Sequence, residues 1–413
     1  MFNSDPIVVG LEVGTTKVVA MVGEVNAEGA LNIIGVGQAK SRGVRKAEIV
    51  DTALAAEDIR NAIAEAEAMA NSEIRSVYLG VSGGHIRSLN NRGVVQVLSA
   101  DREIMREDVE TVIKNAKAIN VPEGNHVVHA IRQHFLVDSR GEIADPVGMP
   151  GTRLEVDMHV VHGTVNRLQN SIRVVRSLQL EVEDIVFNGL ASALALLAKE
   201  QKEMGALVID LGAGATEYGV FSRGIIRHMG VLAVGGDHVS NDLAFGLKIP
   251  LSRAEKMKIE HGAALVEESI KGRTVTFSML SAQNFPDKTV NLEHLRKIMV
   301  ARLEEVFQLI AQDLNRQGLL QGLGAGISLC GGGANTPGIA RLAESVFGLP
   351  AYLAHNTSIN GLTTALDHPE FATALGLVKY ASQQHRKKKR GGLFSLNLKE
   401  TVETINLSRI FKS

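Results

Sequence analysis

Residues 10–17 read GLEVGTTK and come directly after the apolar residues 7–9. An apolar run followed by glycine, two threonines and a lysine is typical of a strand that turns around a phosphate, because glycine lets backbone N–H groups approach closely. Glu12 is the unexpected residue here, since a carboxylate repels phosphate unless a cation lies between them. The stretch therefore predicts a phosphate site that also holds a divalent metal ion.

The same pattern occurs a second time in the chain. Residues 7–24, IVVGLEVGTTKVVAMVGE, and residues 206–224, ALVIDLGAGATEYGVFSRG, both read as apolar strand, acid-x-Gly turn and second apolar strand. Glu12 aligns with Asp210, and Gly14 aligns with Gly212. A repeated hairpin of this kind predicts two similar domains that face each other across a cleft.

These turns supply the candidate binding residues. Glu12 and Asp210 are expected to hold Mg²⁺ through water, because Mg²⁺ keeps several waters and needs only a few carboxylates. A third glycine turn, LCGGGANTPGI at 329–339, predicts a helix that begins at Pro337 after an N-cap at Thr336, with an adenosine phosphate near its N-terminus. The phosphate-binding candidates are Gly14, Thr15, Thr16, Lys17, Gly212, Ala213, Gly214, Ala215, Gly331, Gly332, Gly333 and Asn335.

The rest of the chain alternates strand-like runs with helical patterns, which predicts an α/β fold. A length of 413 residues favours two or more domains. Residues 139–153 and 281–289 read as loops. The predicted helices are 51–70, 106–118, 164–178, 188–203, 237–247, 252–262, 291–317 and 337–347.

Composition restricts the function classes. A net charge of −1, aromatic content of 4% and no Trp argue against a broad nucleic-acid surface. Cys330 is the single cysteine, so no intrachain disulfide forms, which fits a reducing cytosol. The start MFNSDP predicts no secretion signal, and no apolar run approaches the ~20 residues of a spanning helix. We expect a cytosolic protein, or one held at a membrane from the cytosolic side.

The three glycine turns together resemble the nucleotide-binding signature of the actin and heat-shock-chaperone superfamily. SRAEKMK at 252–258 resembles the A-E-x-x-K helix of that superfamily. This likeness implies that Glu255 and Lys258 reach the ribose and base, with Gly236 also at the nucleotide, and that ATP and Mg²⁺ are the cofactors.

A closer resemblance is to the FtsA family of bacterial cell-division proteins. It rests on SVYLGVSGGHI (76–86), EDVETVIKNAK (107–117), VVHAIRQHFLVD (127–138), DPVGMPGTRLEV (145–156) and FNGLASALALL (187–197). It implies an actin-like (ribonuclease-H-like) two-domain fold with an inserted α+β subdomain. The implied subdomains are 1A (1–82 and 164–203), the insert 1C (83–163), 2A (204–241 and 318–385), 2B (242–317) and a basic linker with an amphipathic tail (386–413).

Some positions depart from the family pattern. The family usually has Asp where Glu12 stands, and DLGAGATE replaces D-x-G-G-G-T-T-D, so that Ala213, Ala215 and Glu217 are changed. Asn188 also occupies the place of a glutamate in heat-shock-like relatives. We therefore expect ATP binding with slow or absent turnover, at most a weak ATPase, and we assign no catalytic residue.

The resemblance also implies partners. In FtsA, subdomain 2B holds the C-terminal peptide of FtsZ, the tubulin-like division protein, and Arg302 on the helix 292–314 is the residue expected to contact that acidic-apolar peptide. Self-assembly into actin-like filaments and contacts with other divisome proteins are implied as well. The implied location is the cytoplasmic face of the cell membrane, at the division septum, with no nucleic-acid partner.

The tail carries the membrane prediction. Folded pattern ends after residue 385, and RKKKR at 386–390 precedes a weakly amphipathic segment. The basic cluster would attract anionic lipid, and a weakly amphipathic helix would bury its apolar face in the membrane. Together these two weak contributions would anchor the protein. A solvated, disordered tail is the alternative. The membrane candidates are Lys387, Lys388, Lys389, Arg390, Phe394, Leu398, Val402 and Ile405.

Other readings carry less weight. A type IV pilus platform protein similar to PilM shares the superfamily but fits residues 145–156 and the tail less well. A small-molecule kinase would need an Asp base that we do not find. HVVH occurs at 126–129 and 159–162, but positions i and i+3 of a strand face opposite sides, so neither pair predicts a shared metal.

Overall fold

The computed structural model describes residues 6–26, 30–277, 288–356, 360–361 and 366–390. Within these residues, turns of 3-10 helix lie at Glu268–Ile270, Gly332–Asn335 and Pro369–Phe371. The strands are β1 (Ile7–Val13), β2 (Lys17–Val25), β3 (Leu31–Lys40), β4 (Val44–Arg45), β5 (Glu48–Ile49), β6 (Ser76–Val81), β7 (Arg87–Gln96), β8 (Asn125–Val137), β9 (Arg140–Ile143), β10 (Arg153–Thr164), β11 (Glu181–Phe187), β12 (Ala206–Leu211), β13 (Thr216–Ser222), β14 (Ile225–Leu232), β15 (Thr274–Phe277), β16 (Lys288–Asn291), β17 (Ile327–Cys330), β18 (Ala351–Leu353) and β19 (Asn360–Gly361). The α-helices are α1 (Thr52–Ala70), α2 (Arg106–Lys117), α3 (Val165–Ser177), α4 (Asn188–Leu196), α5 (Lys199–Met204), α6 (Gly236–Leu247), α7 (Leu251–His261), α8 (Leu292–Arg316), α9 (Ile339–Phe347) and α10 (Ala372–Arg390).

The first sheet has the strand order β11-β6-β1-β2-β3-β19. Strands β1, β2 and β3 form an antiparallel meander, and β6 and β11 run parallel to β1. Strand β2, KVVAMVGEV, is buried along nearly its whole length, so helices must cover both faces of the sheet. A Cβ at Gly37 would lie 1.9 Å from Ala62 O of α1, and one at Gly10 would lie 2.7 Å from Leu377 Cβ of α10. These glycines allow the helices to pack directly on the strands.

The second sheet repeats this topology. Its order is β14-β13-β12-β17-β18, in which β12, β13 and β14 form the meander and β17 and β18 run parallel to β12. Helices α6, α7, α8 and α9 contribute buried residues to its core. The repeated hairpin of the sequence is thus the first part of a repeated domain.

The inserted unit has a sheet and a core of its own. Its strand order is β7-β10-β8-β9, and α2 covers one face. Buried residues such as Ile104, Phe135 and Val156 form a third core. Both HVVH segments lie on strands of this unit, as their β-branched composition indicates.

The end of the described chain returns to the first domain. Strand β19 pairs with β3, and Leu377 and Val378 of α10 are buried in the first core. The sequence grouped residues up to 385 with subdomain 2A, but α10 packs against the first sheet because its apolar face meets Gly10 and Gly23 there.

Several local predictions were wrong. The helix expected at 188–203 is interrupted after Leu196 and continues as α5, and the loop expected at 139–153 contains β9. Residues 386–390 belong to α10, so the regular structure continues beyond 385. Of the segment expected to be a loop at 281–289, residues 281–287 lie outside the described residues. No helix in the described part of the chain is long and apolar enough to cross a membrane.

Candidate functional site

Both repeated hairpin turns face one cleft of about 510 Å³. The Gly14 N–H donates to Lys17 O at 3.0 Å, and a Cβ at Gly14 would lie 2.8 Å from the same oxygen. A Cβ at Gly212 would lie 2.6 Å from Ala215 O. Both turns therefore require glycine at the same point for the same steric reason. Every residue that the sequence suggested for nucleotide or metal, from Glu12 to Asn335, lines this cleft.

Five carboxyl groups of the described residues line the cleft, and three of them, Glu12, Asp210 and Glu217, have raised pKa values. Asp210 Oδ2 accepts hydrogen bonds from Ser192 Oγ at 2.5 Å and from Thr373 Oγ1 at 2.9 Å. Glu217 accepts a hydrogen bond from the Ser82 hydroxyl. Glu12 Oε2 is shielded from solvent and has no hydrogen-bond partner among the described residues.

Burial changes the acidity of all three groups. It raises the pKa of Glu12 to about 8, although the charge of Lys17 lowers it. Burial also raises the pKa of Asp210, against the hydrogen bonds from Ser192 and Thr373. Burial, reinforced by the charge of Asp210, raises the pKa of Glu217 to about 8. A cluster of buried acids with raised pKa values is typical of a site that receives a cation.

Lys17 supplies a positive charge at the first turn. Its Nζ lies 3.3 Å from Glu370 Oε2 and 4.1 Å from the centre of the Phe371 ring. Nζ is buried and makes no hydrogen bond to the described residues, which leaves its donors available to an incoming acceptor.

The third glycine turn is built differently from the prediction. Gly331 has φ 80°, and a Cβ there would lie 2.3 Å from Asp210 Oδ1. The glycines run into a 3-10 helix, Gly332–Asn335, and α9 begins only at Ile339 after an N-cap at Gly338. The predicted start at Pro337 with a Thr336 cap was wrong. The residue before α9 is Gly338 in the left-handed conformation, and the Thr336 side chain does not cap the helix.

The far end of the cleft is lined by α7 and α8. Lys258 Nζ donates to Gly236 O at 3.1 Å and to Glu255 Oε2 at 2.7 Å. The apolar residues Met299 and Leu303 of α8 line the cleft as well. A polar pair beside an apolar wall suits a ring that carries hydroxyl groups on one side.

Among the remaining candidates, Arg302 does not line the cleft. Arg302 forms hydrogen bonds to both carboxylate oxygens of Asp242, at 2.6 and 3.1 Å, and a further ion pair with Glu305. The backbone of 387–390 is helical, whereas the side chains of those four residues are outside the description. Phe394, Leu398, Val402 and Ile405 lie outside the described residues altogether.

The structure adds cleft residues that no sequence motif marked. Thr373 and Glu370 line the cleft and contact predicted site residues, yet they lie in a helix and a turn without an acid-x-Gly signature. Ser192 hydrogen-bonds to Asp210 without lining the cleft itself. Asn188 lines the cleft as well, and its Oδ1 has no partner among the described residues.

Solved structures with similar folds are found among actin-like proteins. A chain of the "PilM-PilN type IV pilus biogenesis complex" matches with a TM-score of 0.64 and 16% identity, covering 91% of this chain and 98% of that one. MreB5 of Spiroplasma citri bound to ADP matches with a TM-score of 0.55 and 15% identity, covering 94% and 99%. At these identities the likeness concerns the fold. Together with the repeated sheets around a glycine-lined cleft, it defines an actin-like two-domain protein with an inserted domain.

Sequence relatives identify the family. Residues 207–376 match the family "Cell division protein FtsA", and residues 83–162 match the "SHS2 domain inserted in FTSA". The cell division protein FtsA of Pseudomonas aeruginosa is 38% identical over 92% of this chain and 91% of its own length. The FtsA proteins of Borreliella burgdorferi and Escherichia coli are 38% and 35% identical, each over at least 92% of this chain and 91% of their own length. The chain belongs to the FtsA family and is an actin-like cell-division protein.

Proposed function

We propose that this chain binds ATP with Mg²⁺ between its two domains and links a filament of FtsZ to the cytoplasmic face of the cell membrane at the division septum. The observation that carries the nucleotide site is the pair of hairpin turns, which direct Gly14 and Gly212 and the acids Glu12 and Asp210 into one cleft. Self-assembly into filaments and contacts with other divisome proteins belong to the same proposal.

The donor set suits Mg²⁺. Glu12 Oε2 is a buried oxygen without a partner among the described residues, and Asp210 lies across the cleft from it. Among the described residues no three acidic, His or Cys side chains are arranged to hold a metal by themselves. Mg²⁺ retains water and binds through few carboxylates, so Glu12 and Asp210 would hold it and it would neutralise phosphate charge.

The protein itself would do the remaining work in the cleft. The turns supply backbone N–H groups, Lys17 supplies a positive charge, and the Glu255–Lys258 pair lies where a ribose and base would bind. We assign no general base, because Asn188 stands where heat-shock-like relatives carry glutamate. We therefore propose that ATP acts mainly as a ligand that favours one domain arrangement and that turnover is weak.

Calorimetry tests the nucleotide site. We expect wild-type protein to bind ATP in the presence of Mg²⁺, and Lys17→Ala to bind it about tenfold more weakly, or ~1.4 kcal/mol, because a charge-assisted contact is lost. Lys40→Ala is the matched control, since exposed Lys40 lies opposite Lys17 in the β2–β3 register and does not line the cleft. Absence of heat from wild-type protein with Mg²⁺ and ATP would refute the site.

The partner site is proposed on α8. Arg302 hydrogen-bonds to Asp242 of α6, and Phe245, three residues further along α6, is 88% exposed. A guanidinium and an exposed aromatic side chain on two helices joined by this ion pair suit an acidic-apolar peptide. Arg302→Glu should abolish binding of the FtsZ C-terminal peptide in fluorescence anisotropy. Lys297→Glu reverses a charge on the same helix at a residue that pairs with Glu293 rather than with α6, and it should leave peptide binding unchanged. Unchanged affinity of Arg302→Glu would exclude this residue from the site.

The rival functions have less support. Likeness to the PilM chain is a likeness of fold at 16% identity, whereas the FtsA relatives match at 35–38% over nearly the whole chain. Phosphate transfer to a metabolite in a turnover screen would revive the kinase alternative.

A further inference from the structure

The hairpin formed by β4 and β5 has a strained tip. Val44 pairs with Ile49 and Arg45 with Glu48, which leaves Lys46 and Ala47 as a two-residue turn. Their φ angles are 49° and 60°, in the left-handed region that such turns require and that glycine or asparagine normally fills. The tip therefore holds its shape only if surrounding contacts impose it.

The tip touches both phosphate turns of the cleft. The Ala47 N–H donates to Thr15 Oγ1 at 3.0 Å, and Ala47 lines the cleft. A Cβ at Gly214 would lie 2.3 Å from Thr15 Oγ1 and 2.7 Å from Lys46 Cα. The hairpin of the first domain thus lies directly against the turn of the second. The contact also explains why Gly214 is glycine although both of its neighbours, 213 and 215, are alanine.

The outer side of the hairpin is anchored to α3. Asn170 Nδ2 donates to Ile49 O at 3.1 Å, and the Arg167 guanidinium pairs with the Glu48 carboxylate. Neither Asn170 nor Arg167 lines the cleft. Substitutions at these two positions can therefore loosen the hairpin without changing any group that faces a ligand.

We propose that the β4–β5 hairpin is a gate over the phosphate end of the cleft, and that it must lift off Gly214 and Thr15 before a nucleoside polyphosphate can enter or leave. This inference rests on the proposed nucleotide site. A gate lies on the path of both entry and exit, so it slows both rates and leaves their ratio nearly unchanged. A direct phosphate contact by Lys46 would instead change the equilibrium constant.

Stopped-flow fluorescence with a methylanthraniloyl derivative of ATP and Mg²⁺ tests the gate. In the double variant Arg167→Ala/Asn170→Ala, association and dissociation rate constants should both rise about threefold or more, while Kd stays within about twofold. Arg173→Ala is the matched control, because Arg173 lies on the same helix and bonds to Gln169 within it. Its rates should equal those of the wild type.

A second variant acts on the tip itself. Ala47→Pro removes the N–H that binds Thr15 and cannot adopt a positive φ, so its association rate constant must rise as well, whereas its Kd is not a criterion because Ala47 lines the cleft. Hydrogen exchange of residues 44–49 without nucleotide verifies that each variant has loosened the hairpin.

The outcomes separate the gate from the site. If wild-type protein binds nucleotide but loosening the hairpin changes neither rate constant, the proposal of a gate is wrong. A rise in the dissociation rate constant alone, with a proportional rise in Kd, would show that the hairpin is part of the binding surface. That result would also contradict the proposal of a gate. Absence of nucleotide binding by the wild type would refute the proposed function instead.

Discussion

At the scale of single residues, the cleft is defined by acids that the fold keeps out of water. Glu12 and Glu217 both have pKa values raised to about 8, and Lys17 is the nearest positive charge to Glu12. Carboxyl groups in such a place cost stability when they ionise, because burial removes much of the water that would solvate the charge. The arrangement is retained at that cost, which is typical of a binding site rather than of a structural core.

The stability of the ligand-free protein should therefore depend on Glu12 and on pH. The pKa of Glu12 is about 8 when folded and 4.5 unfolded, so the native state binds the extra proton between these values and loses stability as pH rises. We expect Glu12→Gln to have a higher free energy of unfolding than the wild type in urea, and we expect this difference to grow from pH 5.5 to pH 8.5.

Glu73→Gln is the control for that measurement. Glu73 is exposed and its pKa is lowered by a hydrogen bond from Arg75, so its effect should not change with pH above the acid range. A stability difference for Glu12→Gln that is independent of pH would show that its carboxyl group is not protonated in the native state.

At the scale of elements, α10 connects the cleft to the tail. Its second residue, Thr373, hydrogen-bonds to Asp210, and the helix ends in the basic residues 386–390. Nineteen residues of α-helix span about 28 Å at 1.5 Å per residue. Between these ends, α10 packs closely on α4, where Gly376 meets the backbone of Ala191.

Gly376→Ala tests this packing. The added Cβ would lie 1.8 Å from Ala191 O, so α10 or α4 must shift, at a cost of about 1–3 kcal/mol or more. We expect a clear fall in the thermal midpoint measured by circular dichroism. Gly141→Ala, whose Cβ would meet only Leu136 at 3.8 Å, should unfold close to the wild-type temperature. Equal midpoints for the two variants would contradict the close contact.

At the scale of the whole molecule, the insert joins the two domains. Ser88 Oγ of β7 donates to Met229 O at 2.6 Å, and Asn90 Nδ2 donates to Arg227 O at 2.9 Å, both on β14 of the second sheet. Strand β14 is an edge strand, and these side chains satisfy part of its free backbone edge. A change in the relative position of the two domains would therefore either move the insert or break these hydrogen bonds.

Residues 386–413 are predicted to bind the whole molecule to the membrane. Deletion of 386–413 should abolish pelleting with anionic liposomes, because it removes both the basic cluster, worth about 1 kcal/mol per residue, and the amphipathic segment. Deletion of 391–413 alone leaves α10 intact and should weaken pelleting without abolishing it at low salt. Pelleting that survives the longer deletion would place the anchor elsewhere.

The sequence by itself determined the repeated hairpins, the turn glycines and the acids beside them, and the existence of most helices. These features depend on local rules: apolar periodicity, and the need for glycine where backbone atoms approach closely. The motifs shared with the FtsA family predicted the inserted domain. Only the tertiary structure decided that Thr373 binds Asp210, 163 residues away, that α10 returns to the first domain, and that the tip at Lys46 and Ala47 lies on Gly214. Such contacts join segments whose local sequences carry no sign of each other, so they exist only once the two sheets have packed.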